Sequence, residues 1–131
     1  MVEIKNVLMV DDDDDIREVG GMSLEDVGNW SVSLAGSAEE ALAHVSTHTP
    51  DLILLDVMMP DVDGPTTLLR LRELPALEQV PIIFMTARVQ KDEVDSYLAL
   101  GAAGVIVKPF DPMTLPNEIL DILRKQSSKN D

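Results

Sequence analysis

The chain has 131 residues, 45% hydrophobic and 26% charged, which is the balance of a globular chain able to bury a core without staples. Ten Lys and Arg stand against 24 Asp and Glu, and the resulting formal charge of -14 repels phosphate backbones and anionic lipid headgroups, so no nucleic acid and no membrane is expected as a partner. Without cysteine there is no disulfide, thiolate metal site or thiol nucleophile, and a cytoplasmic location is expected.

The first ten residues, MVEIKNVLMV, run straight into five Asp and lack the basic start, long apolar core and cleavage site of a signal peptide. No run nears the roughly 20 apolar residues of a membrane span. Residues 7–10 are an apolar run without alternation, the pattern of a strand buried on both faces. A first helix is expected over about 14–27, weakened by Gly20 and Gly21, each costing roughly 1 kcal/mol against Ala. Residues 30–34 alternate Trp30, Val32 and Leu34 with serines, which suits a strand nearer an edge. Ser37 and Glu40 have the spacing of a capping box, and Ala38, Ala41, Leu42 and Val45 then form one apolar stripe.

A third strand is expected at 52–55. Gly64-Pro65 opens the next helix, with Pro at the first helical position, followed by Leu68, Leu71 and Leu74 until Pro75 stops it. Residues 82–85 are the fourth strand. Val94, Tyr97 and Leu98 mark a helix ending at Gly101, and 105–107 the fifth strand. Leu115, Ile119, Ile122 and Leu123 mark a last helix, capped either at Asp111-Pro112, with Pro116 costing one backbone bond, or at Thr114, with Pro116 in its first turn; the later start is favoured. Five alternations of strand and helix imply an α/β fold, a doubly wound parallel sheet with helices on both faces. The length suits one domain, residues 1–131, with its core over about 5–125 and a frayed polar tail at the end, 126–131 at least.

Ligands of such folds bind beyond the carboxyl ends of the strands. There the sequence places Asp11 and Asp12, Asp56, Thr86 and Ala87, and Lys108 and Pro109. Three carboxylates brought together repel one another and raise each other's pKa unless a cation neutralises them, and Mg²⁺ suits oxygen ligands of this kind. Lys108 would add a point charge and Thr86 a hydroxyl donor. Asp13, Asp14 and Asp15 read differently, as a solvated helix start favoured by the helix dipole. His44 and His48 lie on or just after a helix and read as surface residues without ligand spacing, and the seven Met as filler.

The segments VLMVDDD, DLILLDVMMPDVDG, PIIFMTA and GVIVKPF, in this order and spacing, resemble the signatures of the receiver domain of two-component response regulators, and the match spans nearly the whole chain. The resemblance implies a flavodoxin-like five-stranded sheet of order 2-1-3-4-5 with five helices. It implies Asp56 as phosphoacceptor and Asp12, Asp56 and the Met58 carbonyl as Mg²⁺ ligands, with Asp11 acting on the metal through water. Thr86 and Lys108 would contact the phosphoryl group, and the Lys108-Pro109 peptide would be cis. Implied partners are a histidine kinase or histidine phosphotransfer protein and a downstream protein target, with the chain a monomer or a weak phosphorylation-dependent dimer. It would be no enzyme in the ordinary sense, only a phosphoacceptor that assists its own phosphorylation and dephosphorylation. Met58 and Arg88 would tune the access of water. One position departs from the family: Val105 stands where an aromatic switch residue is usual, and Tyr97 reads as a half-buried core tyrosine rather than its substitute.

Two other readings use the same fold. An FMN-binding module needs a phosphate cradle of amides after the first strand, where this chain has five Asp. An aspartate-nucleophile phosphohydrolase of the haloacid dehalogenase type needs a second acid two residues after the nucleophile, where this chain has Met58.

Overall fold

A computed structural model describes residues 3–87 and 89–130. Its element order is β1 (Asn6–Val10), α1 (Asp14–Met22), β2 (Ser31–Ala35), α2 (Ala38–Val45), β3 (Leu52–Asp56), α3 (Gly64–Arg72), β4 (Ile82–Thr86), α4 (Lys91–Ala99), β5 (Gly104–Val107) and α5 (Leu115–Asn130). The five strands are all parallel in the order β2-β1-β3-β4-β5, as expected.

Side chains that alternate along each strand divide between two faces, and each face is covered by its own helices. Leu8, Val10, Ile53, Leu55 and Phe84 meet Ala41, Val45, Leu68 and Leu71 from α2 and α3, with Tyr97 of α4 against them. Val7, Met9, Leu52, Leu54, Ile83 and Met85 meet Leu115 and Ile119 of α5 and Leu24 just after α1 on the other face. β3 and β4 are therefore buried at every position and apolar up to their last residue, which is why they show no alternation.

Several local expectations need correction. Residues 105–107 read as buried on both faces, yet β5 is an edge strand in which only Ile106 is buried and Val107 is 46% exposed. Trp30 lies just before β2 rather than in it. The first helix stops at Met22 and continues as a π-helical turn, Ser23–Val27. The buried Ser23 hydroxyl there donates to the Pro112 carbonyl, a contact between distant segments that local propensity does not encode. Ser37 caps α2 by accepting from Glu40 N–H, but the Glu40 carboxylate returns to the N–H of Gly36 rather than to that of Ser37. Pro65 is the second residue of α3, after Gly64, and Pro75 opens a short 3₁₀ turn, Pro75–Leu77, beyond the end of α3.

α5 starts at Leu115 with Pro116 in its first turn, where the missing N–H costs no helical bond. Its backbone runs on through Asn130, across the segment expected to fray, because nothing from Asn117 onward breaks a helix. Gly101, with φ +111, ends α4 in a conformation that favours glycine.

Candidate functional site

The site is assembled by the sheet's carboxyl rim. Asp11 follows β1, and its N–H donates to Ala35 O at 3.0 Å, which extends the pairing with β2 and directs the side chain inward, fully buried. Asp12 is exposed beside it. Asp56 is the last residue of β3, paired in register with Met85, and only 4% exposed. Thr86 closes β4 and is buried. Lys108 follows β5, its N–H donating to Thr86 O at 2.9 Å, and the Lys108-Pro109 peptide is cis. Asp11, Asp12, Asp56, Met58, Thr86 and Lys108 all line one pocket of about 250 Å³. These six candidates are thus brought to one place.

Lys108 Nζ lies 2.6 Å from Asp11 Oδ2 and 3.0 Å from Asp56 Oδ1. One carboxylate oxygen from each of Asp11, Asp12 and Asp56 falls within 4.8 Å of the others. Burial is the main reason that the Asp56 carboxyl is pushed up to about 6; the Lys108 contact opposes this, and the neighbouring Asp11 and Asp12 add to it. Carboxylate repulsion, the cause expected from the sequence, is therefore secondary. Burial pulls the Lys108 amine down, but its contacts with Asp11 and Asp56 outweigh this and hold it above the ordinary lysine value. Met58 turns its backbone N–H to Asp56 Oδ1 at 3.3 Å and leaves its side chain 68% exposed.

The donor set fits a hard divalent ion. All three side chains offer oxygen, and Asp11 Oδ2, though buried and beside an ammonium, has no aligned hydrogen bond among the described residues. The Lys108 ammonium already balances one of these charges, and three clustered carboxylates beside a single ammonium leave negative charge for a hard cation to offset.

Around this pocket the acidic run divides as expected. Asp13 caps α1, accepting from the N–H groups of Asp15 at 2.9 Å and Ile16 at 3.1 Å, and Asp14 pairs with Arg17. Val105 is half-buried opposite Phe84, and Tyr97 rests on Phe84 with ring centroids 5.0 Å apart, as a core tyrosine does. Arg88 lies outside the described residues.

Sequence reasoning missed two features. Gly64 was read as a helix start, but a Cβ there would lie 2.4 Å from Asp56 O and 2.8 Å from Val57 Cα, so glycine permits α3 to begin against the backbone of the phosphoacceptor candidate. His44 and His48 were read as unrelated surface residues, whereas their rings are stacked 4.9 Å apart. Their spacing of four across a helix end was the available signal.

Residues 7–120 match the family model of the response regulator receiver domain. Response regulator Rre1 of Synechocystis sp. is 37% identical over 132 residues, covering all of this chain and 57% of that protein. The probable transcriptional regulator ycf27 of Cyanidium caldarium is 39% identical over 125 residues, covering 95% of this chain and 49% of the relative. The chain therefore spans about half the length of these curated relatives. Among solved structures, the chemotaxis response regulator CheY4 of Vibrio cholerae superposes with a TM-score of 0.85 at 31% identity, over 92% of this chain and 99% of that one. A response regulator structure from Chloroflexus aurantiacus gives 0.83 at 32% identity, over 93% and 99%. With its sheet order, its acidic rim facing a lysine and a family match over most of its length, this chain belongs to the response regulator receiver domains of two-component systems.

Proposed function

We propose that this chain acts as a single phosphorylation-controlled switch, in which Asp56 accepts a phosphoryl group from a phosphohistidine of a sensor kinase or phosphotransfer protein. The observation that carries the reading is the Lys108 ammonium bridging Asp11 and Asp56 at the mouth of a pocket lined by Thr86. Mg²⁺ would be held by Asp11, Asp12, Asp56 and the Met58 carbonyl, and when bound it offsets charge on the carboxylates and on the incoming group.

The chain's own residues do the rest. An Asp56 oxygen attacks phosphorus in line; the O–P bond forms as the N–P bond breaks, and the electron pair stays on the departing imidazole nitrogen, which takes up a proton. Lys108 stands within reach of the oxygens that gain charge. Thr86, at the end of β4, supplies a hydroxyl on the other side. Later a water oxygen attacks the same phosphorus, and inorganic phosphate leaves with the Asp56 carboxylate restored. Met58, exposed and lining the same pocket, tunes that water's approach.

Next to the acidic pocket lies an open, mainly apolar one of about 420 Å³ lined by Ile16, Val19, Ala87, Pro109 and Phe110 together with the charged Asp15 and Lys108. It offers contact area for a partner that presents its histidine to Asp56. Output follows from a shift of population toward a state with altered protein–protein binding, for which a few kcal/mol suffice. With Val105 on β5, that shift runs without a swinging aromatic ring. A flavin phosphate would meet the acidic rim, and Met58 supplies no acid for a phosphohydrolase, so neither alternative fits this pocket.

Incubation with a small-molecule phosphodonor and Mg²⁺ tests the proposal. Intact mass should rise by one phosphoryl group, and Asp56→Ala should abolish the gain. A gain retained by Asp56→Ala at the same peptide would overturn the assignment.

A further inference from the structure

We propose that His44 and His48 form a second, independent cation site at the C-terminal end of α2, one that chelates a borderline transition ion such as Zn²⁺. The backbone sets their register: His48 N–H donates to His44 O at 3.0 Å, so the helical turn carries past the end of α2 and brings both side chains to one side. The rings are 8° from parallel, with centroids 4.9 Å apart. Two metal–nitrogen bonds of about 2.0–2.1 Å at a tetrahedral angle require nitrogens about 3.4 Å apart. Rotation of the half-buried His44 side chain about its own bonds supplies that approach while His48 stays in place.

Thr47 prepares the ligand. Its hydroxyl donates to His44 O at 3.3 Å and lies 2.8 Å from His48 Nδ1. In the tautomer protonated at Nδ1, that oxygen accepts from Nδ1–H and the Nε2 lone pair is left for a metal. An outer hydrogen bond of this kind fixes tautomer and orientation in metal-binding histidines. Among the described residues neither ring is within ion-pair distance of a carboxylate, so no counter-charge favours the imidazolium. Partial burial, and then the neighbouring His48, hold the His44 pKa below the usual value, on the side of the neutral ligand. The chain's charge of -14 draws cations in general, but two imidazoles select a transition ion over Mg²⁺, whose preference is oxygen. His44 and His48 are not among the residues lining the acidic pocket, and the two sites differ in donor chemistry.

The test is a calorimetric Zn²⁺ titration of the full chain in excess Mg²⁺, with imidazole ¹⁵N spectra recorded alongside. Both ring signals should move together and saturate at one equivalent. His44→Gln and His48→Gln should each weaken binding by about a hundredfold, the loss of a tethered second ligand. Asp12→Ala should leave it unchanged. Zn²⁺ should also raise the Tm of the parent chain and not that of His48→Gln. Unmoved ring signals, a single-histidine variant that binds as tightly as the parent, or binding lost in Asp12→Ala would each overturn the proposal.

Discussion

The metal-free site is arranged at a cost, and Asp56→Asn should expose it. The unfolded carboxyl titrates at 3.8 and the folded one at about 6. Below 3.8 the group is protonated in both states and folding bears no penalty. As pH rises through 6 the folded chain must carry a charge that burial disfavours, so stability present at low pH is lost between 3.8 and 6. The full difference is about 3 kcal/mol, at 1.36 kcal/mol per pH unit, and linkage places about 1.4 kcal/mol of it between pH 5 and pH 8. Asparagine keeps the shape and never ionises, while Lys108 retains Asp11 at 2.6 Å.

Urea unfolding of both proteins with a chelator present gives the comparison. The stability of the variant relative to the parent should rise by about 1.4 kcal/mol from pH 5 to pH 8. Working with the difference cancels the titration of carboxylates that do not interact with Asp56. A difference that stays flat with pH, or that moves in favour of the parent as pH rises, would refute the reasoning.

Further outcomes follow from the same geometry. Mg²⁺ at about ten times its Kd should stabilise the parent by about 1.4 kcal/mol, read as a rise in Tm, and Asp12→Ala should remove most of that gain. Gly64→Ala pushes a methyl into the backbone of Asp56 and Val57; it should cost about 1–3 kcal/mol in denaturant unfolding and slow phosphodonor labelling together, and a variant unchanged in both would show that the close approach is unimportant. Arg72 donates to Leu77 O at 2.7 Å, Val80 O at 2.6 Å and Gly101 O at 3.3 Å, tying the end of α3 to the entry of β4 and the exit of α4. Arg72→Ala should destabilise the fold by about 2 kcal/mol, with Arg72→Lys intermediate, because one ammonium cannot span three carbonyls.

What could be read from the sequence was whatever depends on burial by the sheet. The LILLD segment announces a strand enclosed on both faces and a carboxylate at its end, and the structure seats Asp56 there, 4% exposed. The same rule failed for β5, since Val105, Ile106 and Val107 are all apolar whether or not a neighbour covers them, and composition does not report which strand is last in the sheet. The π-helical turn was illegible for a related reason: Ser23 finds its acceptor in Pro112, 89 residues away. Caps are local and were read closely, down to Ser37 and Glu40, where only the final N–H differed by one residue. The convergence of Asp11, Asp12, Asp56, Thr86 and Lys108 followed from topology and that of Met58 from the family resemblance, whereas the dominance of burial over charge repulsion at Asp56 needed coordinates.

The amine and the acids of the pocket do not stand on equally firm ground. Asp11 and Asp12 continue a strand flanked by β2 and β3, and Asp56 ends one flanked by β1 and β4. Lys108 continues β5, which among the described strands is laced to β4 alone through four register pairs. When the charge between them changes, the anionic side is clamped from left and right and the cationic side is not. The outermost strand is thus the part of the rim with the fewest backbone ties to hold it in place, and the amine rides on it.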